Sequence, residues 1–171
     1  SQNVLKVGGK TLTAKSFIIA TGSSIAEFPV NGLAESGYLT SDDILELRQA
    51  PESMIVLGAG PVAVELAQFF CRIGTRTTLI QRSEHILSKG DEDLARPVEA
   101  RFREEGMEVF TTTKLLRVEK SGAIRTVFFT HDGKEKSATA ETILQALGRK
   151  PNIDGLNLSA AGVSTNRGRV E

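Results

Sequence analysis

The sequence predicts an α/β fold: a parallel sheet with flanking helices and an antiparallel β-meander, stacked as a three-layer sandwich. Three observations predict it. Strand-length runs at Met54–Leu57, Arg76–Gln81 and Met107–Phe110 alternate with two helix-length periodic segments, the pattern of right-handed βαβ crossovers. The first of these runs passes through Gly58-Ala59-Gly60 straight into a helix. Finally, Leu115–Glu119, Ile124–Thr130 and Lys134–Thr139 are short segments, the last two joined by Asp132-Gly133, a hairpin turn signal.

Taken in order, Val4–Val7 and Thr11–Lys15 flank Gly8-Gly9-Lys10 and read as a hairpin. Ser16–Ala20 reads as a short apolar strand closed by Thr21-Gly22-Ser23. Residues 25–37 carry Pro29, Gly32 and Gly37 and read as a connecting loop. Thr40 or Ser41 can cap a short helix that stops before Pro51, with Asp42 and Asp43 in its first turn. Pro61–Ile73 is a helix whose stripe of Val62, Leu66, Phe69 and Ile73 is expected to face the core, and Gly74 closes it. Asp91–Glu105 is a second helix, ending at Gly106. Thr142–Ala146 is a final strand.

The formal net charge of zero argues against a nucleic-acid partner, which needs a basic face. No apolar run has membrane-spanning length, and the start of the chain lacks a signal-peptide pattern. Cys71 is the only cysteine, so no intrachain disulfide can form, and a cytoplasmic location is expected. Two distant histidines offer no metal cluster. The chain opens without methionine and ends within an apparent element, which reads as a piece of a longer protein.

The chemistry concentrates in Met54–Glu65, MIVLGAGPVAVE. Gly58 allows a tight turn out of the strand. Gly60 lets a pyrophosphate approach the backbone, and Ala63 stands where a small residue lets helix and strand pack closely. Pro61 suits the first helical turn. The helix N-terminus would then offer free N–H groups and a positive dipole end to phosphates. With a strand before it, a helix after it and a second strand beyond, this is a Rossmann-like dinucleotide unit. The same turn could serve packing alone, or another ligand such as S-adenosylmethionine.

Cofactor choice is written at the end of the second strand. Gln81 stands where a carboxylate would favour NAD(H), and Arg82 follows. These residues favour NADP(H) over NAD(H). Glu65 lies one helical turn beyond the phosphate site and either faces solvent or points toward the nicotinamide.

A weak repeat marks the edges. FIIATGS at Phe17–Ser23 precedes Pro29 and Gly32-Leu33; TILQALGR at Thr142–Arg149 precedes Pro151 and Gly155-Leu156. These read as two equivalent crossings of one domain boundary. Together with Leu39–Asp42 (LTSD), Gly58–Ala67 (GAGPVAVELA), Gln81–Leu87 (QRSEHIL), Ala146–Asn152 (ALGRKPN) and Ala161-Gly162-Val163, they form an ordered set along nearly the whole chain. That set resembles the pyridine nucleotide-disulfide oxidoreductases, the family of dihydrolipoamide dehydrogenase, glutathione reductase and mercuric reductase.

The resemblance implies a division of the chain. Residues 1–42 would end a first FAD-domain segment, with Thr21, Gly22 and Ser23 near the flavin nucleotide. Residues 43–148 would be the NAD(P)H-binding domain, and 149–171 the return to the FAD domain. Gly58, Ala59, Gly60, Pro61, Val62, Ala63 and Glu65 would hold the dinucleotide, with Glu65 by the nicotinamide. Gln81 and Arg82 would meet the adenosine ribose, Leu115 the adenine side, and Gly148 the nicotinamide end. FAD would belong to the full-length protein only, which would be a homodimer delivering hydride to flavin and then to a disulfide or metal substrate. Pro61 departs from the tyrosine gate of glutathione reductase, and Gln81 from the glutamate of NADH-using members. This sequence contains no N-terminal FAD glycine loop, no Cys-x4-Cys pair and no C-terminal His-Glu pair. Alone it is expected to bind NAD(P)H without turnover. Two alternatives stay open: a flavin reductase without the disulfide, of the NADH oxidase or ferredoxin reductase type, and a stand-alone nucleotide-sensing module.

Overall fold

The computed structural model describes residues 3–171. The chain divides into two compact units, one of residues 1–26 and 149–171, the other of residues 27–148.

The smaller unit begins with a hairpin of β1 (Val4–Val7) and β2 (Lys10–Thr13), turned by Gly8 and Gly9 at positive φ. Ser16–Ala20 is not a strand, contrary to expectation. Phe17, Ile18 and Ile19 are exposed, Ile18 at 92%. A strand needs a neighbour for its N–H and C=O groups, and no described strand pairs with these residues. The strand comes later, as β3 (Ser23–Ile25).

The 27–148 unit starts with a one-turn helix, α1 (Leu33–Ser36), inside the segment expected to be loop. The expected helix after Thr40 is reduced to a 3-10 turn at Ile44–Glu46. Its capping still forms: Thr40 donates its N–H and hydroxyl to Asp43 Oδ2 at 3.0 and 2.6 Å. These bonds hold the Asp43 carboxyl below its usual range. Ile44 alone is buried and Leu45 is exposed, so a longer helix there would have no apolar face to bury.

The core is built on β4 (Ser53–Leu57), α2 (Pro61–Arg72), β5 (Arg76–Ile80), α3 (Glu92–Glu104) and β6 (Glu108–Phe110). A meander follows: β7 (Lys114–Ser121), β8 (Ile124–His131) and β9 (Lys134–Ala140), with Asp132 and Gly133 both at positive φ in its last turn. Then β10 (Thr142–Gln145) returns beside β4, giving a parallel sheet in the order β10-β4-β5-β6. All five residues of β4 are buried, as a strand covered on both faces requires. Side chains alternate across the sheet. Met54 and Val56 join the core cluster of α2 and α3, while Ile55 and Leu57 join Val118, Val127 and Phe129 of the meander. Helices, parallel sheet and meander are the three layers.

On α2 the expected inward stripe is turned outward. Val62, Phe69 and Ile73 are 44%, 51% and 50% exposed, and only Leu66 packs partly on the core. The buried face is Ala63, Val64, Ala67 and Phe70. The helix is apolar nearly all round, so periodicity gave no unique face; the small side chains of Ala63 and Ala67 decide it, because they let the helix lie close to the sheet.

The chain leaves this unit after Gly148 and re-enters the smaller one as β11 (Arg149–Pro151), which pairs antiparallel with β3. The two arms of the sequence repeat thus lie side by side, Ser23 opposite Pro151 and Ile25 opposite Arg149. A 3-10 turn at Leu158–Ala161 and a last hairpin, β12 (Thr165–Asn166) with β13 (Arg169–Val170), follow. Among the described residues no helix is long and apolar enough to cross a membrane.

Candidate dinucleotide site

The strands of the parallel sheet all end at one edge, where ligands of such sheets bind. The ladder runs on past them: Gly58 N–H donates to Ile80 O at 2.9 Å, Ala146 N–H to Leu57 O at 2.9 Å and Gln81 N–H to Phe110 O at 2.8 Å. This brings the ends of β4, β5, β6 and β10 together.

The two glycines of the turn serve different ends. Gly58 has φ +98°, and a Cβ there would lie 2.6 Å from Ala146 O. The fold itself needs that glycine. Gly60 has φ −73° and ψ 177°, which any residue adopts, and a Cβ there would meet nothing within 4 Å. The protein's own packing leaves room for a side chain, and none is present. Gly60 caps α2 and Pro61 takes its first position, with no side chain bonded at the cap. The first-turn N–H groups have no helical acceptors and fit an anionic oxygen.

Ala59 is buried, and its carbonyl accepts from Leu87 N–H at 2.7 Å. Ala63 is buried against the sheet, while Pro61, Val62 and Glu65 are exposed. Gln81 is buried, and its Oε1 accepts from Arg82 N–H at 3.0 Å. The Gln81 carbonyl accepts from both the N–H and the hydroxyl of Thr113, at 3.1 and 2.9 Å. The Arg82 side chain is exposed beside this clasp, and Thr112 N–H binds Ser83 O at 2.8 Å. Leu115 is the second residue of β7, two after Thr113, and packs half-buried against the cluster of Val118, Val127 and Phe129. Gly148 is exposed, three residues past β10, at φ +147°.

Thr21, Gly22 and Ser23 are not in this unit. In the smaller unit Asn152 binds Thr21 O through Nδ2 at 3.1 Å and Gly22 O through its N–H at 3.0 Å. Arg149 donates to Ser23 Oγ and Ser23 O, both at 2.8 Å. Cys71 is half-buried on α2. Its Sγ lies 3.5 Å from Glu105 O, and burial, then the Glu105 charge, pushes the thiol up. That is the opposite of a reactive thiol. Among the described residues, no group of three or more His, Cys, Asp or Glu could hold a metal. A shallow depression lined by Arg48, Pro51, Glu141 and Thr142 lies at the opposite end of the strands.

Sequence reasoning missed Leu87 and Thr113. Leu87 is a non-glycine residue at φ +52°, a conformation no local residue pattern announces. The threonine run 111–113 was visible, but its bonds to Gln81 depend on a contact across the sheet.

The family model of the pyridine nucleotide-disulphide oxidoreductases matches residues 1–171. A mercuric reductase of Lysinibacillus sphaericus is 41% identical over 165 residues, covering 96% of this chain and 30% of that protein. A dihydrolipoyl dehydrogenase of Bacillus subtilis (strain 168) is 34% identical over 156 residues, covering 91% of this chain and 34% of that protein. Among solved structures, the HOCl-induced flavoprotein disulfide reductase RclA from Escherichia coli shares the fold, with a TM-score of 0.78 at 23% identity over 97% of this chain and 38% of that one. The chain spans about a third of the length of these proteins. From its glycine turn to its β3–β11 pairing, the chain belongs to the pyridine nucleotide-disulphide oxidoreductase family.

Proposed function

We propose that residues 43–148, within the compact unit 27–148, are the NAD(P)H-binding portion of an FAD-dependent oxidoreductase that passes reducing equivalents to flavin and then to a disulfide or a metal substrate. The observation that carries the reading is the contrast between Gly58 and Gly60. The fold requires the first and has no use for the absence of a side chain at the second. A ligand that presses against the Gly60 backbone gives that absence a purpose. NADPH, when bound, supplies a hydride; the residues of this chain bind and orient it. Ala59, Gly60, Pro61 and Val62 line the diphosphate, Ala63 keeps α2 against the sheet, and Glu65 faces the nicotinamide half. Gln81 and Arg82 meet the adenosine ribose, Leu115 the adenine, and Gly148 the nicotinamide end.

NADP(H) is preferred over NAD(H). Gln81 brings no negative charge to the ribose and its side chain is turned inward onto Arg82 N–H, while the exposed Arg82 guanidinium suits a 2′-phosphate. Thr21, Gly22 and Ser23 belong with the flavin nucleotide, in a full-length cytoplasmic homodimer. Calorimetric titration of the chain with NADPH and NADH tests this. NADPH is expected to bind more tightly; tighter NADH binding overturns the preference, and binding of neither overturns the assignment. The purified chain is expected to be colourless and without turnover, since its sequence carries no FAD glycine loop and no cysteine pair. A stoichiometric yellow flavin would contradict this. The exposed Phe17–Ile19 run and the outward face of α2 fit surfaces covered by the remainder of such a flavoprotein.

A further inference from the structure

The loop between β5 and α3 reaches back to the glycine turn. Leu87 N–H donates to Ala59 O at 2.7 Å. In a trans peptide the C=O and the following N–H point in opposite directions. The Ala59–Gly60 peptide is therefore held with its carbonyl toward Leu87 and the Gly60 N–H directed away from that carbonyl's partner, and a Cβ on Gly60 would meet nothing within 4 Å.

Leu87 adopts φ +52° to do this, a left-handed conformation that strains a non-glycine residue. The loop is fixed from both sides. Ile86 is fully buried in the core cluster that contains Ala59 and Ala63, and Leu87 packs partly against the same cluster. Gly90 N–H donates to Leu87 O at 2.8 Å, closing the turn. Burial of this pair offsets the backbone cost.

We propose that Leu87 is a positioning residue: through its main-chain N–H it locks the Ala59–Gly60 peptide so that Gly60 N–H is presented to the ligand's diphosphate before the ligand arrives. The proposal rests on the assignment of the glycine turn to a dinucleotide. It adds that part of the affinity is stored as preorganisation at a residue outside the set assigned to the ligand.

The test replaces Leu87 by its α-hydroxy acid, which turns the Ile86–Leu87 amide into an ester and removes the N–H that bonds Ala59, and sets it beside the same exchange at Gly106, whose N–H bonds Arg103 O at the end of α3. Binding of ADP, NADPH and NADH is measured for each. The Leu87 ester is expected to weaken all three about ten-fold, the worth of one hydrogen bond, while the Gly106 ester stays within about two-fold of the parent. Equal losses in both, or none in the Leu87 ester, overturn the proposal. A second measurement needs no variant: the Gly60 amide proton resonance of the parent chain should move strongly downfield on addition of ADP. An unmoved Gly60 resonance alongside measurable ADP binding also overturns it. Failure of the parent to bind any of the three ligands instead overturns the dinucleotide assignment itself.

Discussion

Gly58 and Ala146 pass so closely that a single added carbon on the first would sit 2.6 Å from the carbonyl oxygen of the second. This contact ties the end of β4 to the end of β10. Gly58→Ala is expected to destabilise the protein by about 2–4 kcal/mol, combining backbone strain at φ +98° with an overpacked contact. Urea denaturation checks it, and a loss under about 1 kcal/mol would show that the two strands part easily.

Gly60→Val should behave in the opposite way. Its backbone angles and open surroundings accept a valine, so the unfolding midpoint should hardly move. Dinucleotide affinity should fall at least ten-fold, because the Cβ branches fill the approach to the diphosphate. Unchanged affinity would show that the glycine turn is not the phosphate site.

Arg82→Ala should separate the two cofactors. The exposed guanidinium has no part in the core, so stability should be unaffected. NADPH binding should weaken by about ten-fold, as loss of a charge-assisted contact to a 2′-phosphate predicts, and NADH binding by less than two-fold. Equal losses for both would refute a 2′-phosphate role.

Glu105 joins the ends of the two helices. Arg72 binds it through two nitrogens at 2.7–3.2 Å, with Gln68 at 3.1 Å and Arg101 at 2.8 Å. Chiefly through Arg72, its carboxyl is pulled from 4.5 down to about 2. A carboxyl lowered in the folded state contributes stability that is complete above 4.5 and lost as the pH falls toward 2. Glu105→Gln should flatten that part of the stability profile, read from urea midpoints along the pH series. An unchanged slope would exclude Glu105 as its source.

Glu99 presents the contrary case. It is buried on α3; Oε1 accepts from Arg103 at 2.9 Å, and Oε2 has no partner. Glu99→Met should raise stability by about 1 kcal/mol, since a buried charge half-satisfied costs more than an apolar isostere. A lower melting temperature would sink this expectation.

The α/β alternation, the glycine turn, the meander and the Gly74 and Gly106 stops were all legible, because each depends on a local signal that tertiary packing reinforces. The misreadings have a common cause. Phe17–Ile19 has the composition of a strand, but pairing is a property of two segments. The stripe Val62, Phe69, Ile73 has helical spacing, but so does its rival Ala63, Ala67, Phe70, and only proximity to β4 chooses between them. In the candidate site, the turn residues Gly58 and Gly60 and the strand-end Gln81 could be singled out from spacing. Leu87 could not: its contribution is a main-chain bond made from a left-handed conformation, which leaves no trace in side-chain chemistry.

The antiparallel pairing of β3 with β11 bears on how such a protein can be assembled. Two neighbouring strands lie about 4.8 Å apart, so the chain departs from and returns to nearly the same point of one small sheet. To that sheet, residues 27–148 amount to an elongated hairpin connection whose interior happens to be folded. The entropic burden of such a connection grows only with the logarithm of its length, and a folded insert with adjacent ends lightens it further. The 27–148 segment is in this sense a cassette, and the register of the strands that carry it rests on their own ladder, Ser23 opposite Pro151 and Ile25 opposite Arg149.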